Sequence, residues 1–145
     1  MGGGEGLLAS ADAAVRRGEV EQAVRHLERA VQLHPSLQPA YARLAELTGA
    51  APAYVAASDL KPDNIAAAAA AGYALQREGE WGGAIELLQR ATRLKPGSAD
   101  LVSDLGTALR QAGRAREGDA MTRRAIALDP THARSYKKPN VPVNF

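Results

Sequence analysis

The chain has 145 residues, room for one domain, and its 46% hydrophobic content includes only 4% aromatics. Alanine supplies much of the rest, which suits close helix packing and argues against a thick β-core. Lys and Arg number 18 against 16 Asp and Glu, so the net charge of +2 is too small to mark a nucleic-acid surface, and the absence of cysteine excludes disulfides and thiolate metal sites.

Residues 1–4 are read as a flexible leader, because the start has neither a basic segment nor the long apolar run of a secretory signal. A first helix is expected near 5–17, ended by Gly18, since glycine adopts the left-handed conformation that closes helices. A second helix, near 20–33, stops before Pro35. The next unit, Ser36 to Asn64, is 7 residues short, with helices predicted near 37–48 and 52–58 and Pro52 in a first turn. A loss of that size is close to two helical turns, so removing one turn from each helix keeps both buried faces in phase. The third unit predicts helices near 64–77 and 81–93, and the fourth near 98–111 and 115–128. Ser36, Asn64 and Ser98 are candidate N-caps, and Asp100 complements a helix dipole. The apolar run Ile65 to Ala71 is too short for the roughly 20 residues that cross a bilayer. Beyond Pro130 the sequence Thr131 to Tyr136 begins like another unit, with Tyr136 standing where Tyr41 stood, and Lys137-Lys138-Pro139 stops it. Residues 137–145 are expected to be an extended tail, leaving 5–136 as the helical domain.

These units share one register. Pro35, Pro62, Pro96 and Pro130 close them at intervals of 27, 34 and 34. Two residues earlier stand Leu33, Leu60, Leu94 and Leu128; five earlier, Ala30, Ala57, Ala91 and Ala125; twelve earlier, Ala23, Ala50, Ala84 and Gly118. Seventeen earlier, three units have Gly18, Gly79 and Gly113. The small residues mark places where helix axes approach closely, and Leu27, Tyr54, Leu88 and Leu105 fill the spaces between. The segments Ala71 to Pro96, Leu105 to Pro130 and Ala11 to Pro35 resemble the tetratricopeptide repeat, with its 34-residue period. The resemblance covers roughly 5–136 and departs from the family where a large aromatic is usual, at Leu7, Tyr41, Ala68 and Val102. It implies an all-α solenoid of about four helix-turn-helix units, the second shortened.

The resemblance also implies a groove lined by the first helix of each unit, suited to an extended peptide or a partner helix. On that stripe lie Asp12, Arg16 and Glu46 in the first two units, with Ala66, Ala69, Ala70, Tyr73 and Arg77 in the third. The fourth contributes Asp100, Ser103, Thr107 and Arg110. Tyr73 and Arg77 are the foremost candidates, because small neighbours let a ligand backbone approach them. Family members that clamp chaperone C-termini use a basic and asparagine set, but the matching places hold Leu8, Asp12, Arg43, Ala66 and Ala70. That clamp is not expected.

No catalytic constellation stands out: His26, His34 and His132 lack metal-ligand spacing, no serine sits in a nucleophile elbow, and Trp81 reads as a packing residue. No enzyme activity, cofactor or metal is expected, and neither nucleic acid nor membrane is expected as a partner. The leading reading is therefore a protein-binding scaffold. Two others stay open: a recruiting or regulatory part of a larger enzyme such as a transferase, and a module that self-associates through its uncapped C-terminal end or its tail. Alanine and arginine richness beside four lysines suggests a GC-rich, bacterial genome, and the compartment is undetermined, with the cytoplasm favoured over export.

Overall fold

The computed structural model describes residues 3–131. The expected tail at 137–145 lies outside the described residues. Within them stand eight helices and no strand: α1 (Gly3–Arg16), α2 (Val20–Leu33), α3 (Gln38–Thr48), α4 (Ala51–Leu60), α5 (Ile65–Arg77), α6 (Trp81–Leu94), α7 (Ala99–Gln111) and α8 (Ala115–Leu128). None of them is long and apolar enough to cross a membrane.

Glycine and proline set these boundaries. Gly18, Gly49, Gly79 and Gly113 have φ of 77°, 68°, 77° and 85°, the left-handed region that costs an L side chain about 1–2 kcal/mol. In three hairpins the residue after the glycine donates back across the turn: Glu19 N to Ala14 O, Glu80 N to Leu75 O and Arg114 N to Leu109 O, at 2.8–2.9 Å. This is the Schellman closure. The second hairpin closes with a side chain instead. Thr48 Oγ1 donates to Leu44 O at 2.7 Å and accepts from Ala50 N at 3.2 Å.

Asn64 and Ser98 cap α5 and α7 as expected, accepting from Ala67 N and Leu101 N. Ser36 does not cap α3; that position belongs to Leu37, which makes no side-chain bond. The two-turn shortening is unequal. Relative to the third unit, α3 loses two residues, the turn one and α4 four, so the second helix carries most of the deletion. Pro52 sits in the first turn of α4, where its missing N–H has no partner to lose.

The chain divides into two compact units, residues 1–62 and 63–145. In the first, Ala11, Ala14, Ala23, Leu27, Ala30 and Ala40 form the core, with Leu7, Leu8, Val31, Leu37, Leu44 and Leu47 packed around it. Leu27 is fully buried, which contributes about 1.5–3 kcal/mol. Two residues of the expected leader belong to this unit. Gly3 and Gly4 are helical, and Gly4 lies so close to His34 that a Cβ would meet its Cδ2 at 2.8 Å. The buried residues of α4 are all small: Ala51, Ala53, Ala57 and Ser58.

In the second unit, Ile85, Leu88, Leu105, Ala108 and Leu109 form one cluster, and Ala68, Ala69, Ala91 and Leu101 another. Tyr73 packs against both. The closest approach is between α7 and α8, where a Cβ on Gly106 would stand 2.8 Å from Gly118 O, and one on Gly118 2.7 Å from Gly106 O. Glycine at these two places lets the backbones touch.

Candidate functional site

In the first unit the face of α1 meets that of α3. Asp12 Oδ1 accepts from Arg43 Nε at 2.9 Å, with both side chains about two-fifths exposed. Beside the pair lies a depression of about 150 Å³ lined by Ala11, Val15, Leu27 and Leu47, with Asp12, Arg43 and Glu46 among its walls. Two expected residues, Asp12 and Glu46, are thus brought together. Arg16 is exposed at the end of α1, outside that lining. Val15 is 43% exposed, so the depression offers apolar surface between charges.

In the second unit, α5 and α7 are joined side chain to side chain. Tyr73 Oη donates to Asp104 Oδ2 at 2.5 Å, and Gln76 Nε2 to Gln111 Oε1 at 2.8 Å. Tyr73 is half-buried, because its ring belongs to the core clusters while its hydroxyl reaches the α5–α7 face. Arg77 is exposed in the last turn of α5, where a cation complements the helix dipole. Ala69 is buried at 9% exposure.

The fourth-unit residues sit deeper than a surface stripe requires. Ser103 is fully buried, and its Oγ has no hydrogen-bond partner among the described residues. Thr107 is half-buried, and its hydroxyl donates to Ser103 O at 3.2 Å. Arg110 turns toward α8, donating from Nη1 to Thr122 Oγ1 at 2.7 Å and lying 3.5 Å from Asp119 Oδ1. Its side chain is only 12% exposed. Of the expected residues of α7, Ser103 is thus buried and Arg110 is partly buried against α8.

The partners Arg43 and Asp104 were not among the expected binding residues, yet the register contains them. Asp12 and Tyr73 both stand 23 residues before their closing proline, and Arg43 and Asp104 both stand eight after the preceding one. Each bridge spans 31 residues, so one repeat position reaches across to the next first helix in both units. Two further ion pairs brace hairpin turns. The guanidinium of Arg17 hydrogen-bonds Glu19, and that of Arg114 hydrogen-bonds Glu117, holding both carboxyls below their usual range. Among the described residues no group of three or more His, Asp or Glu is placed to hold a metal.

Family models described as tetratricopeptide repeat match residues 4–47 and 75–138. The chain belongs to the tetratricopeptide repeat family. Its fold is accordingly all-α, of the solenoid class, and the stretch between the two matches contains the shortened α4. Several solved tetratricopeptide-type structures are similar to it. A crystal structure of MamA protein is 20% identical with a TM-score of 0.75, over 92% of this chain and 76% of that one. MamA from Desulfovibrio magneticus RS-1 is 19% identical at a TM-score of 0.67, over 90% and 77%. YrrB, described as a TPR protein with an unusual peptide-binding site, is 16% identical at 0.53, over 90% and 88%. Likeness at such identity speaks for the fold alone. No curated protein matches the sequence.

Proposed function

We propose that this tetratricopeptide-repeat chain is a non-catalytic protein-interaction scaffold, holding an extended peptide or a helix of another protein on the face of its first helices. The observation that carries the reading is the depression between α1 and α3, whose apolar floor is flanked by the Asp12–Arg43 pair and by Glu46. Apolar floor with charges around it is what peptide recognition needs: burial supplies affinity and the charges select register. In the second unit Tyr73, Arg77, Asp100, Thr107 and Arg110 are residues of the expected stripe with exposed or partly buried side chains that carry polar groups. Ala69 and Ser103 are buried beneath it. Membership of a repeat family whose members present helical faces to partners supports the same reading.

The test is affinity capture with the full chain in parallel with an Asp12→Ala/Glu46→Ala variant and an Arg77→Ala variant, each checked for unchanged helicity by circular dichroism. Partners retained by the wild type and lost by either folded variant support the proposal. Retention of the same partners by all three refutes it. Tyr73→Ala is a poor probe, since the ring is part of two core clusters.

A further inference from the structure

The first unit holds a second depression that the first-helix reading does not use. It measures about 290 Å³ and is lined by Glu28 of α2, Tyr41, Leu44 and Thr48 of α3, and Ala50, Pro52 and Ala53 where α4 begins. Its cause is the shortened hairpin. Counted back from the closing proline, the other second helices begin fifteen residues earlier, at Val20, Trp81 and Ala115. The helix α4 begins only eleven residues earlier, at Ala51. The first turn of the second helix is missing, and the α3 side chains Leu44 and Thr48 line the space.

We propose that this depression takes the segment Lys137–Phe145 of a second copy of the chain. Four observations favour that occupant. The depression is mostly apolar, with Glu28, Thr48 and the Tyr41 hydroxyl as its polar side chains, and the segment carries Val141, Val143 and Phe145 at alternate positions, so an extended strand presents all three on one side. A cavity of about 150 Å³ holds a benzene, so about 290 Å³ has room for the Phe145 ring and a neighbouring valine. Glu28 is the charged group of the lining, and Lys137 and Lys138 precede the apolar residues. Pro139 and Pro142 disfavour a helix in the segment, which lowers the cost of binding it extended. The contact is heterologous, one patch on one copy against a different patch on the next, so it adds copies head to tail. It is independent of the Asp12 and Glu46 face, and its failure leaves that reading untouched.

The experiment mixes two full-length chains. Isotope-labelled chain carrying Phe145→Ala is titrated with unlabelled wild type, and amide shifts are followed by NMR. The expected result is perturbation confined to Leu44, Thr48, Ala50 and Ala53, absent when the unlabelled chain also carries Phe145→Ala. Glu28→Lys in the labelled chain weakens the association about twofold to fivefold, the size of an exposed ion pair. Sedimentation velocity then shows a mean mass that rises with concentration for wild type and stays flat for Phe145→Ala. Absence of perturbation at those amides, perturbation only within residues 63–131, or a flat mass for wild type overturns the proposal.

Discussion

Replacing Gly106 by alanine tests the closest helix contact of the second unit. An added Cβ stands 2.8 Å from Gly118 O, 3.1 Å from Thr122 Oγ1 and 3.2 Å from Met121 Cβ. The nearest of these is backbone, which cannot rotate away, so α7 and α8 must separate. Overpacking of this kind costs about 1–3 kcal/mol. Alanine in a helix recovers about 1 kcal/mol relative to glycine. Three contacts under 3.4 Å place the cost in the upper part of its range, and the net loss is about 1–2 kcal/mol. Gly82→Ala is the matched control: it lies in α6 with nothing within 4 Å of the new Cβ. That variant gains about 0.5–1 kcal/mol from propensity alone. Urea unfolding followed by circular dichroism reads both, and the two midpoints move in opposite directions. If Gly106→Ala is as stabilising as Gly82→Ala, the close approach of α7 and α8 does not set the packing and the reasoning fails.

Ser103→Ala removes a buried hydroxyl that has no partner among the described residues, so it raises stability by about 1 kcal/mol, read as an increase in Tm. Tyr73→Phe keeps the ring in both clusters and deletes the hydroxyl that donates to Asp104. It lowers stability by about 1.5 kcal/mol, the low end for a bond to a charged group, read as a fall in the urea midpoint. The carboxyls of Glu19 and Glu117 are held low by Arg17 and Arg114. Their folded values lie below the unfolded ones, so the stability they contribute is present above the unfolded carboxylate range and is lost as pH falls through the folded values. The urea midpoint therefore falls slightly more on acidification in wild type than in the Glu19→Gln/Glu117→Gln variant, and high salt narrows the difference.

Helix positions were legible because glycine and proline punctuate every unit, and the physical demands on a turn leave few other residues to choose from. Ser36 was misplaced for a reason the register itself contains. Asn64 and Ser98 stand two residues past their prolines, and so does Leu37, whereas Ser36 stands one past. The inner stripe of α7 was less legible. Periodicity identifies a face but does not say how many neighbours a helix has, and α7 is covered by α6 and α8, which buries Ser103 and turns Arg110 inward. Tyr73 shows the same ambiguity within one side chain: its ring is core and its hydroxyl is at the face. The bridges from Asp12 and Tyr73 needed two units compared side by side, because their partners lie 31 residues away in sequence.

The shortened hairpin divides the chain into parts that tolerate change and parts that do not. The three links between hairpins all have four residues: 34–37, 61–64 and 95–98. The turns at the hairpin tips vary, with two residues at 49–50 and three at 17–19, 78–80 and 112–114. Within each unit the link, 34–37 or 95–98, sets the phase at which the second hairpin begins, so a change there shifts that hairpin against the first. A tip ends in solvent, and length lost there is absorbed within one hairpin. The tips at Gly79 and Gly113, where an added Cβ would meet nothing within 4 Å, are thus ports at which a binding loop or a reporter could be inserted while the flanking helices keep their register.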